Sequence, residues 1–327
     1  MNIVLKKLMY AIITIFIIIS ICFLLIHLMP GEPIINLVGQ EEYYHLLEHD
    51  PAQLEQMKIK YGLNDNMLVQ YMRYLKSIAK FDFGLAYSNR QPVVQNVMKA
   101  MKNTLILSIP TWILGGLLGC LLGTLAGWKP NKLFDRIATP LFLFINTIPS
   151  NCIGLILLII FAYRLKIFPI NGMVSPGLSG GAKFFSYLRH MTLPLIILVL
   201  GRTSGNFMLM KSSVSQVRKE DYLLTAVSKG MKDRAVLFVH AMKNALVPYS
   251  TSVVMQLGWI LSGSVIVEVI FGWKGMGQLM FEAVNRRDFP TAQFCFLLSA
   301  VAVVFANWLS DVVNIWIDPR IEEHGYE

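Results

Sequence analysis

Hydrophobic positions gather into six long runs separated by polar stretches. Residues 8–29 carry no Asp, Glu, Lys or Arg and follow Lys6 and Lys7. Residues 104–128, bracketed by Lys102 and Lys129, and 137–163, bracketed by Arg136 and Arg164, are equally free of charge. Residues 191–210 are interrupted only by Arg202; residues 247–267 form a fifth run, and 289–310 a sixth that ends at Asp311. A bilayer core takes about 20 apolar residues as helix, so each run predicts a membrane span. The first run is too long for a signal-peptide core, and Pro30-Gly31-Glu32 offers no small-x-small cleavage site, so an uncleaved helix is expected.

The polar stretches have patterns of their own. Residues 30–103 are the only sizeable segment between spans, expected to be a small external set of short helices. Residues 53–61 and 67–78 read as helices, the second with Leu68, Tyr71, Met72 and Leu75 at helical spacing, and 62–66 read as the turn between them. His45 and His49, four apart, fit either a metal pair or two solvent-exposed histidines. Residues 211–246 are too polar to span. Asp221 is placed to cap a helix on which Tyr222, Leu223, Ala226 and Val227 share a face, and Gly230 is a natural terminator. Ala235, Phe238, Val239, Met242 and Leu246 then trace a second amphipathic face. An apolar face outside the lipid predicts a protein partner.

Composition agrees with lipid as the solvent. The chain of 327 residues is 55% hydrophobic and 15% charged, against about 25% charged in soluble domains. The net charge is +9, and the basic residues mostly flank the apolar runs. Anionic headgroups account for it better than nucleic acid does. Cys22, Cys120, Cys152 and Cys295 all fall inside apolar runs and form no C-x-x-C pair, so they read as small buried hydrophobes. The expected fold is all-α: a polytopic membrane bundle of about six spans. It divides into an N-terminal span (1–29), the external helical segment (30–103), a membrane core (104–317) with a cytoplasmic loop (211–246), and a tail (318–327). Discounting the long external segment, the Lys and Arg balance puts the N-terminus inside.

Within the spans, Gly115, Gly119, Gly123 and Gly127 recur every fourth residue. Such a strip admits close backbone approach, either inside the chain or between subunits. Pro110, Pro149 and Pro194 lie inside spans and imply neighbours that satisfy the freed carbonyls. Arg202, Glu268 and Asp311 are charges within or at the edge of spans, and intramembrane charge is costly unless it faces a cavity or a partner. Arg202 is expected either to meet a substrate carboxylate or to pair with Asp311. Glu268, near the end of the fifth run, is a candidate gating or interface contact.

Thr225-Ala226, then Gly230, then Leu246-Val247-Pro248 resembles the cytoplasmic loop of ABC importer permeases, whose pattern is Glu-Ala-Ala, three residues, Gly, a spacer, and a hydrophobic residue with Pro. Leu224 stands where that Glu is usual, a departure tolerated in the peptide-importer branch. Asp82-Phe83-Gly84 before Pro92, Glu268 through Gly277 with Lys274 in place of a Pro, Arg287-Asp288-Phe289-Pro290 and Asp318-Pro319-Arg320 are similar to further signatures of that branch. The resemblance covers nearly the whole chain, and its best match is the B-type permease of dipeptide, oligopeptide and nickel importers.

The resemblance implies a transport subunit and not an enzyme, in a bacterial cytoplasmic membrane with both termini cytoplasmic. Two ATP-binding subunits, a second homologous permease and an extracytoplasmic substrate-binding protein are its implied partners. ATP-Mg would be held by the ATP-binding subunits, since this chain has no Gly-x-x-x-x-Gly-Lys-Ser/Thr loop. Asp221, Tyr222, Thr225, Ala226 and Gly230 are the implied coupling residues. Peptides and nickel or a metal chelate both fit as cargo. A secondary transporter is the rival from another class; it calls for coupling carboxylates and repeated halves.

Overall fold

The computed structural model describes residues 3–28, 33–38, 40–60, 63–258, 260 and 265–317. Pro30-Gly31-Glu32, Gly62, the Asp318-Pro319-Arg320 motif and the tail 318–327 lie outside them. Among the described residues the chain is helical apart from turns and a single bridge between Leu85 and Pro92.

Each apolar run has become helix. Helix α1 (Ile3–Leu28) is the first. The segment after it holds α2 (Pro33–Val38), α3 (Gln40–His49), α4 (Pro51–Lys60) and α5 (Met67–Ala79). Asn66 caps α5 by accepting from the Leu68 amide, which places the expected turn correctly. The second run lies in α6 (Val93–Trp128) and the fourth in α9 (Gly180–Val217). Both exceed the runs that predicted them, because helix continues into the polar flanks. The sixth is α15 (Phe289–Ile317).

The third and fifth runs are not continuous helices. The third is α7 (Leu133–Thr147) and α8 (Ser150–Leu157), the latter passing into a π-helical turn, Leu158–Arg164. The two halves meet at 98°. Pro149 forces extended backbone on its predecessor, and Ile148 is held at φ −79°, ψ 128°. The fifth run is α12 (Met242–Met255), a turn at Gln256–Gly258, and later α13 (Val265–Ile270). Helix α14 (Met276–Asn285) follows. Among the described residues, three helices are long and apolar enough to cross a membrane, or four if the bent pair counts as one span; α1 qualifies as a shorter apolar helix over Leu8–Leu24. Over their described residues the six expected runs are therefore helical, but two of them are broken.

The most extensive packing joins α6 to α9. The four-residue glycine strip is its cause. A Cβ at Gly119 would lie 2.4 Å from Asn206 Cβ, and one at Gly123 would lie 2.7 Å from the Phe207 carbonyl oxygen. One at Gly127 would lie 2.6 Å from the Lys211 carbonyl oxygen. The strip therefore serves packing within the chain, which decides between its two readings. Tyr249 on α12 donates to the Gly116 carbonyl at 2.6 Å, bringing a third helix to the same seam.

Two ends of the bundle can be distinguished without reference to a membrane. The end of α6 meets the 218–241 loop, so that end is called the loop face. The end of α1 distal to its N-terminus meets α5: Ser20 Oγ lies 2.6 Å from Tyr71 Oη, and Phe23 packs on Tyr71 and Tyr74. The 33–92 segment thus occupies the opposite face. Asp288 ties it down, accepting from the Tyr87 and Ser88 amides at 3.0 and 3.2 Å and from Ser88 Oγ at 2.8 Å.

Candidate functional site

Helix α9 ends at Val217 and, after a turn at 218–220, the chain starts α10 (Asp221–Ser228). Its N-cap is Glu220 rather than Asp221, and the cap uses no side chain. Asp221 is one residue inside, where its charge still favours the positive end of the helix dipole. The C-terminus follows the expectation closely. Gly230 sits at φ +78°, its amide donates to the Val227 carbonyl at 2.9 Å, and the Met231 amide donates to the Ala226 carbonyl at 3.4 Å. Those two bonds are the Schellman arrangement, which needs the left-handed residue that glycine supplies.

The helix does not present one apolar face outward. Leu223 (3% exposed) and Ala226 (7%) point into a cluster with Trp128, Met210, Val214, Val236, Leu237, Ala241, Ala245 and Tyr249. This corrects the expectation that Ala226 belongs to a docking surface: its methyl is part of the bundle core. Asp221, Tyr222, Thr225, Val227 and Gly230 are exposed, Val227 at 57%. Tyr222 is positioned by Asn244, whose Nδ2 donates to the phenol oxygen at 2.6 Å.

The second arm is also rotated relative to expectation. After α11 (Asp233–Ala235) the backbone takes a π-helical course over Val236–Ala241 before α12 begins. The extra residue in that turn shifts the inward set to Val236, Leu237, Ala241 and Ala245 and leaves Phe238 and Val239 exposed. The arm is fastened to α6. Trp128 Nε1 donates to Asp233 Oδ1 at 2.9 Å, and Lys129 Nζ lies 3.0 Å from Asp233 Oδ2. The Lys129 ammonium holds the Asp233 carboxyl below the usual carboxylate range, although partial desolvation pulls the other way.

The three membrane charges have separate fates. Arg202 lies at the α6–α9 seam, its stem against Gly115. It forms no ion pair with Asp311. Two contacts fix the relative heights: Gln256 Nε2 donates to Asn206 Oδ1 at 2.9 Å, and Ser310 Oγ donates to the Thr251 carbonyl at 3.4 Å. Counting along the helices at 1.5 Å per residue sets Arg202 and Asp311 about 15 Å apart in depth. Glu268 is 1% exposed and faces no surface. Its carboxylate accepts from Thr104 Oγ1 at 2.8 Å and from the Gln278 amide at 3.0 Å, pinning the start of α14 to α6. A Cβ on Gly275 would lie 2.5 Å from the Glu268 carboxyl, so the turn closes directly over it. The expected gating or interface contact is thus an internal brace.

Sequence reading missed two polar pairs at this level. Asn206 joins Gln256 and also donates to the Gly115 carbonyl at 3.3 Å. Lys211 Nζ lies 2.5 Å from Asp135 Oδ1 and 2.7 Å from Thr139 Oγ1, a buried bridge between α9 and α7. The spacing of Asp135 and Thr139 at i and i+4 was the available signal for one end. Nothing in the sequence marked Lys211 as its partner. His45 and His49 stack with ring centroids 4.5 Å apart, and no group of three or more metal-ligating residues occurs among the described residues.

Comparison with known proteins places this architecture. Residues 119–323 match the family described as binding-protein-dependent transport system inner membrane component, and residues 1–108 match the N-terminal region of such membrane components. The chain belongs to this family. An oligopeptide transport system permease protein of Bacillus subtilis is 32% identical over 301 residues, covering 92% of both chains. A di/tripeptide transport system permease protein of Pseudomonas aeruginosa is 30% identical over 315 residues, covering 91% of this chain and 92% of the relative. A glutathione transport system permease protein of Salmonella paratyphi A is 30% identical over 321 residues, covering 98% and 99%. As a family member the chain is an inner-membrane permease subunit of a binding-protein-dependent ABC importer, a transport component and not the catalytic one.

Proposed function

We propose that this chain is one of two homologous permease subunits that carry short peptides across the membrane, driven by two ATP-hydrolysing subunits and supplied by a substrate-binding protein. The observation that carries the mechanical part is α10. Its inner side, Leu223 and Ala226, is anchored in the bundle core, while Asp221, Tyr222, Thr225 and Val227 are open to a partner. A helix held rigidly on one side and free on the other transmits a push. Helix α9 continues almost directly into it, and the Trp128–Asp233–Lys129 clasp links its far side to α6. The α6–α9 pair would therefore move as a unit when an ATPase, with ATP-Mg bound, pulls on α10. The loop face and both chain termini are then cytoplasmic, and the 33–92 segment faces the binding protein. Peptide cargo is supported by the peptide and glutathione relatives, which match over more than nine-tenths of this chain.

Proteoliposomes holding the complete transporter test the reading. With binding protein outside and ATP inside, labelled di-, tri- and oligopeptides should accumulate. Uptake driven by an ion gradient without ATP would establish a secondary transporter instead, and ATP-driven uptake of a nickel chelate but no peptide would reassign the cargo.

A further inference from the structure

On the face opposite the loop, a cavity of about 440 Å³ lies between the 166–178 connection and the first turns of α9. That volume is within the range of small-molecule sites. Its lining is cationic through Lys166 and Arg189; His190 and the hydroxyls of Ser175 and Ser186 border it, and no carboxylate is among its described lining residues.

The basic groups are arranged rather than scattered. Arg189 Nε donates to the Ile167 carbonyl at 3.1 Å, and a second guanidinium nitrogen donates to the same oxygen, which fixes the fork and leaves its remaining hydrogens free. His190 is buried, with Nδ1 2.7 Å from the Ser186 carbonyl, so Nδ1 is the donor there and Nε2 stays available. Ser186 Oγ lies 3.0 Å from the Ser175 amide and 3.2 Å from the Ser175 hydroxyl, holding the connection against α9. Lys166 makes no hydrogen bond or ion pair among the described residues and sits at φ +53°, a backbone conformation unfavourable for a residue with a Cβ. Strain of this kind, kept at a lysine with no partner, points to a ligand-directed role for the ammonium.

Depth and rim specify the ligand. Arg189 is 22 residues before Lys211, which is paired with Asp135 near the loop face. On one continuous helix that separation is about 33 Å, matching the hydrocarbon thickness of about 30 Å. The cavity thus opens at headgroup level. Phe184 (66% exposed) and Phe185 (67%) stand beside it, and Tyr163 is exposed at the end of α8's π turn. Exposed aromatic residues at this depth suit the membrane interface. A positive cavity at headgroup level with an apolar rim fits a phosphate that has acyl chains attached.

We propose that this cavity binds the phosphate of an anionic phospholipid, with Lys166, Arg189 and the Ser175 and Ser186 region as its holders and Phe184 and Phe185 against the acyl chains. Phosphate chemistry is shared by a free phosphate ion, and the test separates the two. The complete transporter, purified in detergent, is titrated with phosphatidylglycerol, phosphatidylcholine and inorganic phosphate, and bound lipid is counted by native mass spectrometry. A second preparation carries Lys166→Gly with Arg189→Gln. The glycine relieves the positive φ and the glutamine keeps a donor for Ile167, so folding should survive, as read by an unchanged melting temperature in phosphatidylcholine. The wild-type complex should hold at least one phosphatidylglycerol about tenfold more tightly than phosphatidylcholine, and the double variant should lose that preference. Equal phosphatidylglycerol binding by both preparations overturns the proposal. So does variant-sensitive binding of inorganic phosphate with no preference for phosphatidylglycerol, which would make the site one for a free anion. A double variant that melts lower in phosphatidylcholine and keeps the wild-type lipid preference makes the cluster structural and also overturns it.

Discussion

Ala226 and Val227 are adjacent on α10, yet one is buried in the bundle core and the other stands in solvent. A charge at each should therefore fail differently. Ala226→Asp puts a carboxylate among Trp128, Met210, Val214 and Leu237 with no partner, a cost of several kcal/mol. Folded yield, read by size-exclusion of the solubilised protein, should collapse. Val227→Asp should leave that yield near wild type and instead lower ATPase co-purification and substrate-stimulated ATP hydrolysis several-fold. Equal yields for the two variants would mean that the inward side of α10 is not packed as described. Gly230 was legible as a left-handed terminator from sequence, and its φ of +78° agrees. A Cβ there would meet nothing within 4 Å, so any substitution acts through backbone strain, about 1–2 kcal/mol, and not through a clash inside the chain. Glu268 shows the opposite case. Its charge was visible in the sequence, but its role depends on Thr104, some 164 positions away, and on the turn at Gly275 that closes over it.

At the level of elements, hydrophobic periodicity located every apolar run, because burial in lipid demands length and lack of charge and little else. It also located the glycine strip, whose four-residue spacing is a direct consequence of 3.6 residues per turn. What it could not locate were departures from the regular α-helix. The π turn at Val236–Ala241 adds a residue to one turn, and the fully buried set becomes Val236, Leu237, Ala241 and Ala245, while Met242 and Leu246 of the expected face are only partly buried against the same cluster. The break at Ile148–Pro149 was hinted at by its proline, but Pro110 and Pro194 sit inside continuous helices, so proline alone did not identify it. The α6–α9 seam offers a clean test. Gly123→Leu would place a side chain where a Cβ alone is 2.7 Å from the Phe207 carbonyl oxygen and 2.8 Å from Met210 Cβ. Overpacking there should cost at least about 1–3 kcal/mol and lower the melting temperature of the purified protein. Gly116→Ala, whose Cβ would meet nothing within 4 Å, is the control and should be neutral. A Gly123→Leu protein as stable as wild type would contradict the close approach of the two helices.

Across the whole molecule, the arrangement is a bundle with two different ends. One end is the 33–92 segment, held by Asp288 and by the contacts of α5 with α1. The other is the loop, held by the inward side of α10 and by the Asp233 clasp. The family and the two-ended plan were both legible in the sequence, the first from Thr225-Ala226, Gly230 and Pro248 and the second from the run lengths. The pairing of Lys211 with Asp135 and of Asn206 with Gln256 was not, because tertiary partners on different helices leave no local pattern. The central claim is that α10 is the mechanical contact with an ATP-hydrolysing subunit. Cysteines placed singly at Tyr222 and Val227, in a background lacking the four native cysteines, should cross-link through a short thiol reagent to the ATPase subunit in membranes, and a cysteine at Leu178 on the opposite face should not. Cross-linking from Leu178 with none from Tyr222 or Val227 would contradict both the contact and the orientation.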